Sequence, residues 1–134
     1  MLIYLDTNVV IYLIEQTSPQ WGARASARIA AARANQDRFA VSDLTRLECR
    51  VGPIAANDSI TLGQFDTFFQ SAEVQVLLLT TAVCDRATII RARHRYRTPD
   101  ALNLAAAVDA GCDIFLTNDL RLRAFSDITV EALP

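Results

Sequence analysis

Along this chain, short apolar runs that end in polar clusters alternate with longer segments whose apolar residues recur every three to four positions. LIYL (2–5) reads as a short, fully buried strand. Thr7 or Asn8 is placed to cap a helix over roughly 8–16. Ser18-Pro19 breaks the chain, and Pro19 opens a further helix over the Ala/Arg-rich stretch 20–35, where Trp21, Ala25, Ile29 and Ala32 fall at helical spacing. RFAVS (38–42) reads as a second strand ending in a cap, followed by a helix over 43–51 that stops at Gly52-Pro53. AANDS (55–59) reads as a loop, and 61–71 carries Leu62, Phe65, Phe68 and Phe69 at helical spacing. VQVLLL (74–79) is a third strand, after which Thr80 or Thr81 caps a helix over about 82–95. Thr98-Pro99 starts another helix, DALNLAAAVDA, that runs to Gly111. DIFLT (113–117) is a fourth strand, then comes a helical turn around 119–125, and ITVEAL (128–133) is a fifth, peripheral strand. Strands alternating with helices imply an α/β fold: a mostly parallel central sheet of four to five strands with helices on both faces. No repeat, low-complexity tract or linker divides the chain, and 134 residues suit a single domain, 1–134.

Composition narrows the picture. A hydrophobic content of 51% against 21% charged residues excludes a disordered chain. Cys49, Cys84 and Cys112 show neither CxxC nor Cys/His spacing, so buried thiols are expected rather than disulfides or a zinc site. The start, Met-Leu-Ile-Tyr-Leu-Asp, carries no basic segment or cleavage-site pattern, and the first apolar run is too short to span a bilayer. A cytoplasmic protein without membrane association is expected. The formal charge is −2, and all thirteen basic residues are arginine.

Four of the fifteen acids stand out from the solvated remainder. Asp6 ends the first strand between two apolar runs, and Asp119 follows the fourth in IFLTND; in open α/β sheets ligands gather beyond the carboxyl ends of strands. Glu48 borders a stripe of Leu44, Leu47 and Val51, and Asp100 lies in the first turn of a helix apolar nearly all round, which carries its N-terminus into the interior. Singly each has an ordinary explanation: Asp6 and Asp100 as acids that complement a helix dipole, and Glu48 as a boundary residue paired with Arg46 or Arg50. Jointly they suggest one site. Clustered carboxylates do not stay ionised without a counter-ion, and a hard cation such as Mg²⁺ or Mn²⁺ prefers oxygen ligands together with water and substrate phosphate. The chemistry expected of such a site is phosphodiester hydrolysis by metal-activated water.

The stretches YLDTNVVIYLIE, LTRLECRVGP and YRTPDALNLAAAVDAGCDIFLTNDLRL, in that order, resemble the PIN domain family and within it the VapC-type ribonuclease toxins of toxin–antitoxin pairs. The resemblance covers essentially the whole chain. It implies an α/β/α sandwich and a metal-dependent endoribonuclease, usually a homodimer, held inactive by a cognate antitoxin. It also implies that Asp6, Glu48, Asp100 and Asp119 form the catalytic acidic quartet. Asp6, Asp100 and Asp119 would be the nearest metal ligands, with Glu48 binding the metal or orienting its water. Thr7, Asn8, Thr117 and Asn118 are expected to fix those carboxylates from behind. Tyr4, Tyr12 and the Phe65/Phe68/Phe69 group suit core or interface, and Trp21 with the phenylalanines is a candidate for the dimer surface.

RARHRYR (91–97), just before Asp100, offers Arg91, Arg93, Arg95 and Arg97 for RNA phosphates and a base-stacking Tyr96. The same residues also suit a helix C-terminus. His94, the only histidine, is expected to be solvated or to meet phosphate rather than metal. Competing classes fare worse. Aspartate-phosphorylating phosphatases and receiver domains also place an aspartate after a buried strand, but both normally use a lysine, which this chain lacks; a P-loop enzyme fails for the same reason. The alternative is a nuclease of the same fold outside a toxin–antitoxin pair, processing RNA or acting on DNA, or a non-catalytic RNA-binding domain of that fold.

Overall fold

A computed structural model describes residues 1–134. Five strands, β1 (Leu2–Leu5), β2 (Arg38–Ser42), β3 (Val74–Leu77), β4 (Ile114–Thr117) and β5 (Thr129–Ala132), form one sheet in the order β3-β2-β1-β4-β5. Every pairing is parallel. Six helices connect them: α1 (Thr7–Glu15), α2 (Pro19–Ala34), α3 (Asp43–Ala55), α4 (Ser59–Phe69), α5 (Thr81–His94) and α6 (Thr98–Asp109). A 3₁₀ turn at Leu120–Ala124 joins β4 to β5. None of the helices is long and apolar enough to cross a membrane.

The period-two alternation of the strands divides the core into two layers. Ile3, Leu5, Phe39, Val41 and Leu116 face one side and pack with Val9, Ile29, Cys49 and Phe65 from α1 to α4. Tyr4, Ala40 and Phe115 face the other and pack with Val83, Ile90 and Leu104 from α5 and α6. Tyr4 and Phe115 stack there with ring centroids 5.3 Å apart. The change of face has a topological cause. From β1 the chain moves to β2 and β3 on one side, then returns to place β4 and β5 on the other side of β1. Right-handed crossovers in opposite directions lay their helices on opposite faces. The reversal falls between β1 and β4, whose carboxyl ends therefore flank a crevice open to ligands.

Several sequence expectations change. The helix expected to stop at Gly52-Pro53 continues to Ala55, because Pro53 is buried and the following turn closes through the Ala56 N–H to the Gly52 carbonyl at 3.0 Å. The expected stripe of Leu44, Leu47 and Val51 is not the buried one: Leu47 and Val51 are exposed, and Thr45, Cys49 and Pro53 face inward. The Ser42 N–H donates to Thr45 Oγ1 at 3.1 Å, one half of a capping box, and this holds Thr45 inward. β3 ends at Leu77, two residues early, and Leu78 is exposed. Cys84 is exposed, lining an open cavity beside α6, while Cys49 and Cys112 are buried. Phe65, Phe68 and Phe69 are buried in the first core layer. Trp21 is partly buried, stacked on Tyr12 at 5.7 Å.

Candidate functional site

Asp6 occupies the residue between β1 and α1, with extended backbone. Its N–H continues the sheet by donating to the Leu116 carbonyl at 2.9 Å, which ties it to β4. The side chain does two jobs at once. Oδ1 accepts from the Thr7 N–H at 2.9 Å and caps α1; Oδ2 accepts from Thr117 Oγ1 at 2.7 Å. Burial pushes the Asp6 carboxyl up to about 6, against the pull of the Thr117 and Thr7 hydrogen bonds, and the Asp100 and Glu48 charges push in the same direction as burial.

Glu48 reaches the same place from α3 because it borders the buried Thr45/Cys49 stripe, and its Oε1 accepts from Thr7 Oγ1 at 2.8 Å. Asp100 projects from the first turn of α6. Buried Ala101, Leu104 and Ala105 bind that helix to the core and carry its N-terminus inward. Asp100 Oδ2 is buried and accepts no hydrogen bond. The nearest positive groups, Arg97 Nε and Arg121 Nη2, are each 3.8 Å from it. Asp119 caps the 3₁₀ turn, and its own N–H donates to Thr117 Oγ1 at 3.0 Å. The Arg121 guanidinium bonded to Asp119 holds that carboxyl below its ordinary value.

The four acids, from four different elements, line one recess of about 190 Å³ with no hydrophobic residue among its lining; Thr7, Asn8, Arg97 and Asn103 share the wall. No three of the His, Cys, Asp and Glu side chains close into a ready-made metal cage. Arg121 and Arg97 supply the positive charge nearest to Asp100 and Asp119. The donor set is nonetheless all oxygen, with one buried oxygen unpartnered, which suits a hard divalent cation.

The remaining sequence candidates divide. Thr7 and Thr117 each donate to a carboxylate of the cluster. Asn8 lines the recess but is exposed and bonds to none of the acids, because the Asp6 carboxyl already takes the first N–H of α1. Asn118 turns away from the acids: its Nδ2 donates to the Tyr12 hydroxyl at 3.0 Å and its Oδ1 is buried without a partner. Of the four arginines only Arg97 lines the recess. Arg91 and Arg95 line a separate cavity of about 750 Å³ between α5 and α6, which none of the four acids reaches. Arg91 Nε is bonded to the Tyr96 carbonyl at 3.1 Å. Arg95 does not share a helical face with Arg91, since α5 ends at His94 and Arg95 adopts the left-handed cap conformation, φ 55°. Arg93 is exposed. His94 is half-buried, stacked on Tyr96 at 5.2 Å and edge-on to Phe125 at 5.4 Å.

Two residues of the site escaped the sequence reading. Asn103 is buried with its Oδ1 accepting from the Tyr4 hydroxyl at 2.6 Å. A lone amide in ALNLAAAV, three residues after Asp100 and hence on the same helix face, was the available signal. Arg121 lies two residues past Asp119, the distance at which a turn folds a side chain back on its cap.

The family model described as PIN domain matches residues 3–128. No curated protein matches the chain. Solved structures similar to it include VapBC2 from Rickettsia felis bound to a DNA fragment from their promoter, at 14% identity, TM-score 0.81 and full coverage (100%) of both chains. VapBC-1 from nontypeable Haemophilus influenzae is similar at 19% identity and TM-score 0.75, covering 99% of this chain and 98% of that one. VapC20 from Mycobacterium tuberculosis, a Sarcin-Ricin loop cleaving toxin, is similar at 19% identity and TM-score 0.68, covering 84% of this chain and 86% of that one. At such identities the likeness is one of fold.

Proposed function

This chain belongs to the PIN domain family, and from that premise we propose that it is a VapC-type endoribonuclease, dependent on Mg²⁺ or Mn²⁺, that hydrolyses RNA phosphodiester bonds. The observation that carries the reading is the recess into which four separate elements deliver Asp6, Glu48, Asp100 and Asp119, with a buried Asp100 oxygen left unpartnered. Asp6, Asp100 and Asp119 would hold the cation. When bound, it supplies the charge that acidifies water and stabilises the leaving oxygen of an in-line displacement.

The chain's own groups do the rest. Asp6 is held in place by Thr117 and by the first N–H of α1, which fixes the direction in which its carboxylate faces the recess. Glu48, fixed by Thr7, is set to orient the attacking water. Arg97, largely exposed at the rim, offers a guanidinium to the substrate phosphate, and the exposed Arg91, Arg93 and Arg95, outside the recess, would meet RNA only beyond the cleaved bond. A homodimer, a cognate antitoxin and a cytoplasmic setting complete the proposal. Support for the antitoxin comes from the similar folds solved as toxin–antitoxin complexes.

Purified chain free of any bound partner should cut single-stranded RNA when Mg²⁺ or Mn²⁺ is supplied, and excess EDTA should stop the reaction. Retention of full cleavage in EDTA would remove the metal from the mechanism, and cutting of DNA but not RNA would reassign the substrate. Thr117→Val should leave the fold intact and lower cleavage by roughly 10- to 100-fold, the usual cost of losing a group that orients a metal ligand. An unaltered rate in Thr117→Val would show that Asp6 needs no such support.

A further inference from the structure

Arg121 is the only cation hydrogen-bonded to any of the four acids. Its Nε lies 3.0 Å from Asp119 Oδ1 and 3.2 Å from Oδ2, and its Nη2 lies 2.6 Å from Oδ2, so the guanidinium fork occupies both oxygens. The same Nη2 is 3.8 Å from the unpartnered oxygen of Asp100. The Arg121 side chain is 64% exposed, while those of Asp119 and Asp100 are 25% and 13% exposed. The guanidinium therefore covers two acids from the solvent side.

The backbone beneath it is anchored independently. The Arg121 N–H donates to Asp119 Oδ1 at 3.0 Å, and the next residue, Leu122, is completely buried in the second core layer. The side chain can leave without disturbing the turn. An exposed arginine–carboxylate pair contributes little, whereas a divalent cation attracts the same two oxygens and the other three acids together. A departing guanidinium stays tethered within a few ångströms of Asp100 and Asp119, where a phosphate held at the cluster would lie.

We propose that Arg121 is an internal counter-ion that yields Asp119 when a divalent cation is taken up and then binds the phosphodiester of the substrate. The inference rests on the metal-nuclease reading above. In the resting protein Arg121 offsets the mutual repulsion of Asp100 and Asp119; in the loaded protein the same charge is available to RNA.

The test compares wild type, Arg121→Gln and Arg121→Lys, first for Mn²⁺ binding without RNA, followed by the resonance signal of free Mn²⁺, and then for RNA cleavage at saturating Mn²⁺. Arg121→Gln should bind Mn²⁺ roughly fivefold to tenfold more tightly, having no ion pair to break. Its KM for RNA should rise by about tenfold with a smaller change in kcat, as loss of a binding contact requires. Arg121→Lys, with the charge but not the fork, should fall between the two on both measures. Unchanged or weaker Mn²⁺ binding by Arg121→Gln, with wild type binding normally, overturns the counter-ion role alone. An unchanged KM overturns the phosphate contact. A wild-type chain that binds no Mn²⁺ at millimolar concentration overturns the metal reading and this inference with it.

Discussion

Asp6→Asn and Asp100→Asn are each expected to reduce RNA cleavage by about 10²- to 10³-fold or more, the scale on which removal of one preorganised electrostatic contact acts. Asp6→Asn tests the charge in isolation because the geometry tolerates it. The carbonyl of the substituted amide can still accept the Thr7 N–H and cap α1, as Asp6 Oδ1 does now. Its NH₂ group meets Thr117 Oγ1, which already accepts the Asp119 N–H and has only to rotate its proton away. The fold, followed by circular dichroism, should therefore survive while the affinity for cation falls. Asp100→Asn removes charge from a carboxylate oxygen that has no hydrogen bond to lose. Cleavage persisting in both variants, with helical content unchanged, would show that the acids serve the structure and not the reaction.

The second large effect concerns stability. Burial raises the Asp6 carboxyl from 3.8 to about 6 in the folded chain. Between those values the folded protein holds a proton that the unfolded chain has released, so stability falls as pH rises from about 4 to about 6 and stays lower above. A displacement of about two units corresponds to ~3 kcal/mol. Metal-free Asp6→Asn at pH 7 should then melt higher than wild type, by on the order of 5–10 °C, and the difference should shrink toward pH 4. Adding a divalent cation should raise the melting point of wild type at pH 7 more than that of the variant. Asp119 acts in the opposite sense: its carboxyl is held low by Arg121, so its contribution is present above the ordinary carboxylate range and is lost on acidification. Comparing wild type with the variant at each pH cancels that common background. An Asp6→Asn protein that melts lower than wild type in EDTA at pH 7 would make Asp6 a helix cap and nothing more.

Both expectations concern residues that can be found without a structure. Asp6 and Asp119 were legible because each sits at the polar edge of an apolar run, and Asp100 because its helix is apolar nearly all round. The reasons are local: side-chain period and run length depend on neighbours in sequence. Glu48 was legible for a reason that the structure changes. The stripe of Leu44, Leu47 and Val51 is largely exposed, and Glu48 instead borders Thr45 and Cys49. Asn118 illustrates the same limit. Its place beside Asp119 suggested support for the acids, yet Tyr12 of α1 takes its amide.

The order of strands and helices, the parallel α/β architecture and the four acids were thus determined by the sequence itself, since each depends on patterns a few residues long. The strand order β3-β2-β1-β4-β5 was not, and it is this order that sets β1 beside β4 and brings Asp6 and Asp119 to one crevice. Nor did spacing reveal that Arg121 closes over Asp119 and Asp100, or that Arg91 and Arg95 open onto a different cavity from Arg97. Those outcomes follow from which faces pack against which. Burial and opposing charge select among long-range neighbours, and that selection exists only once the chain has folded.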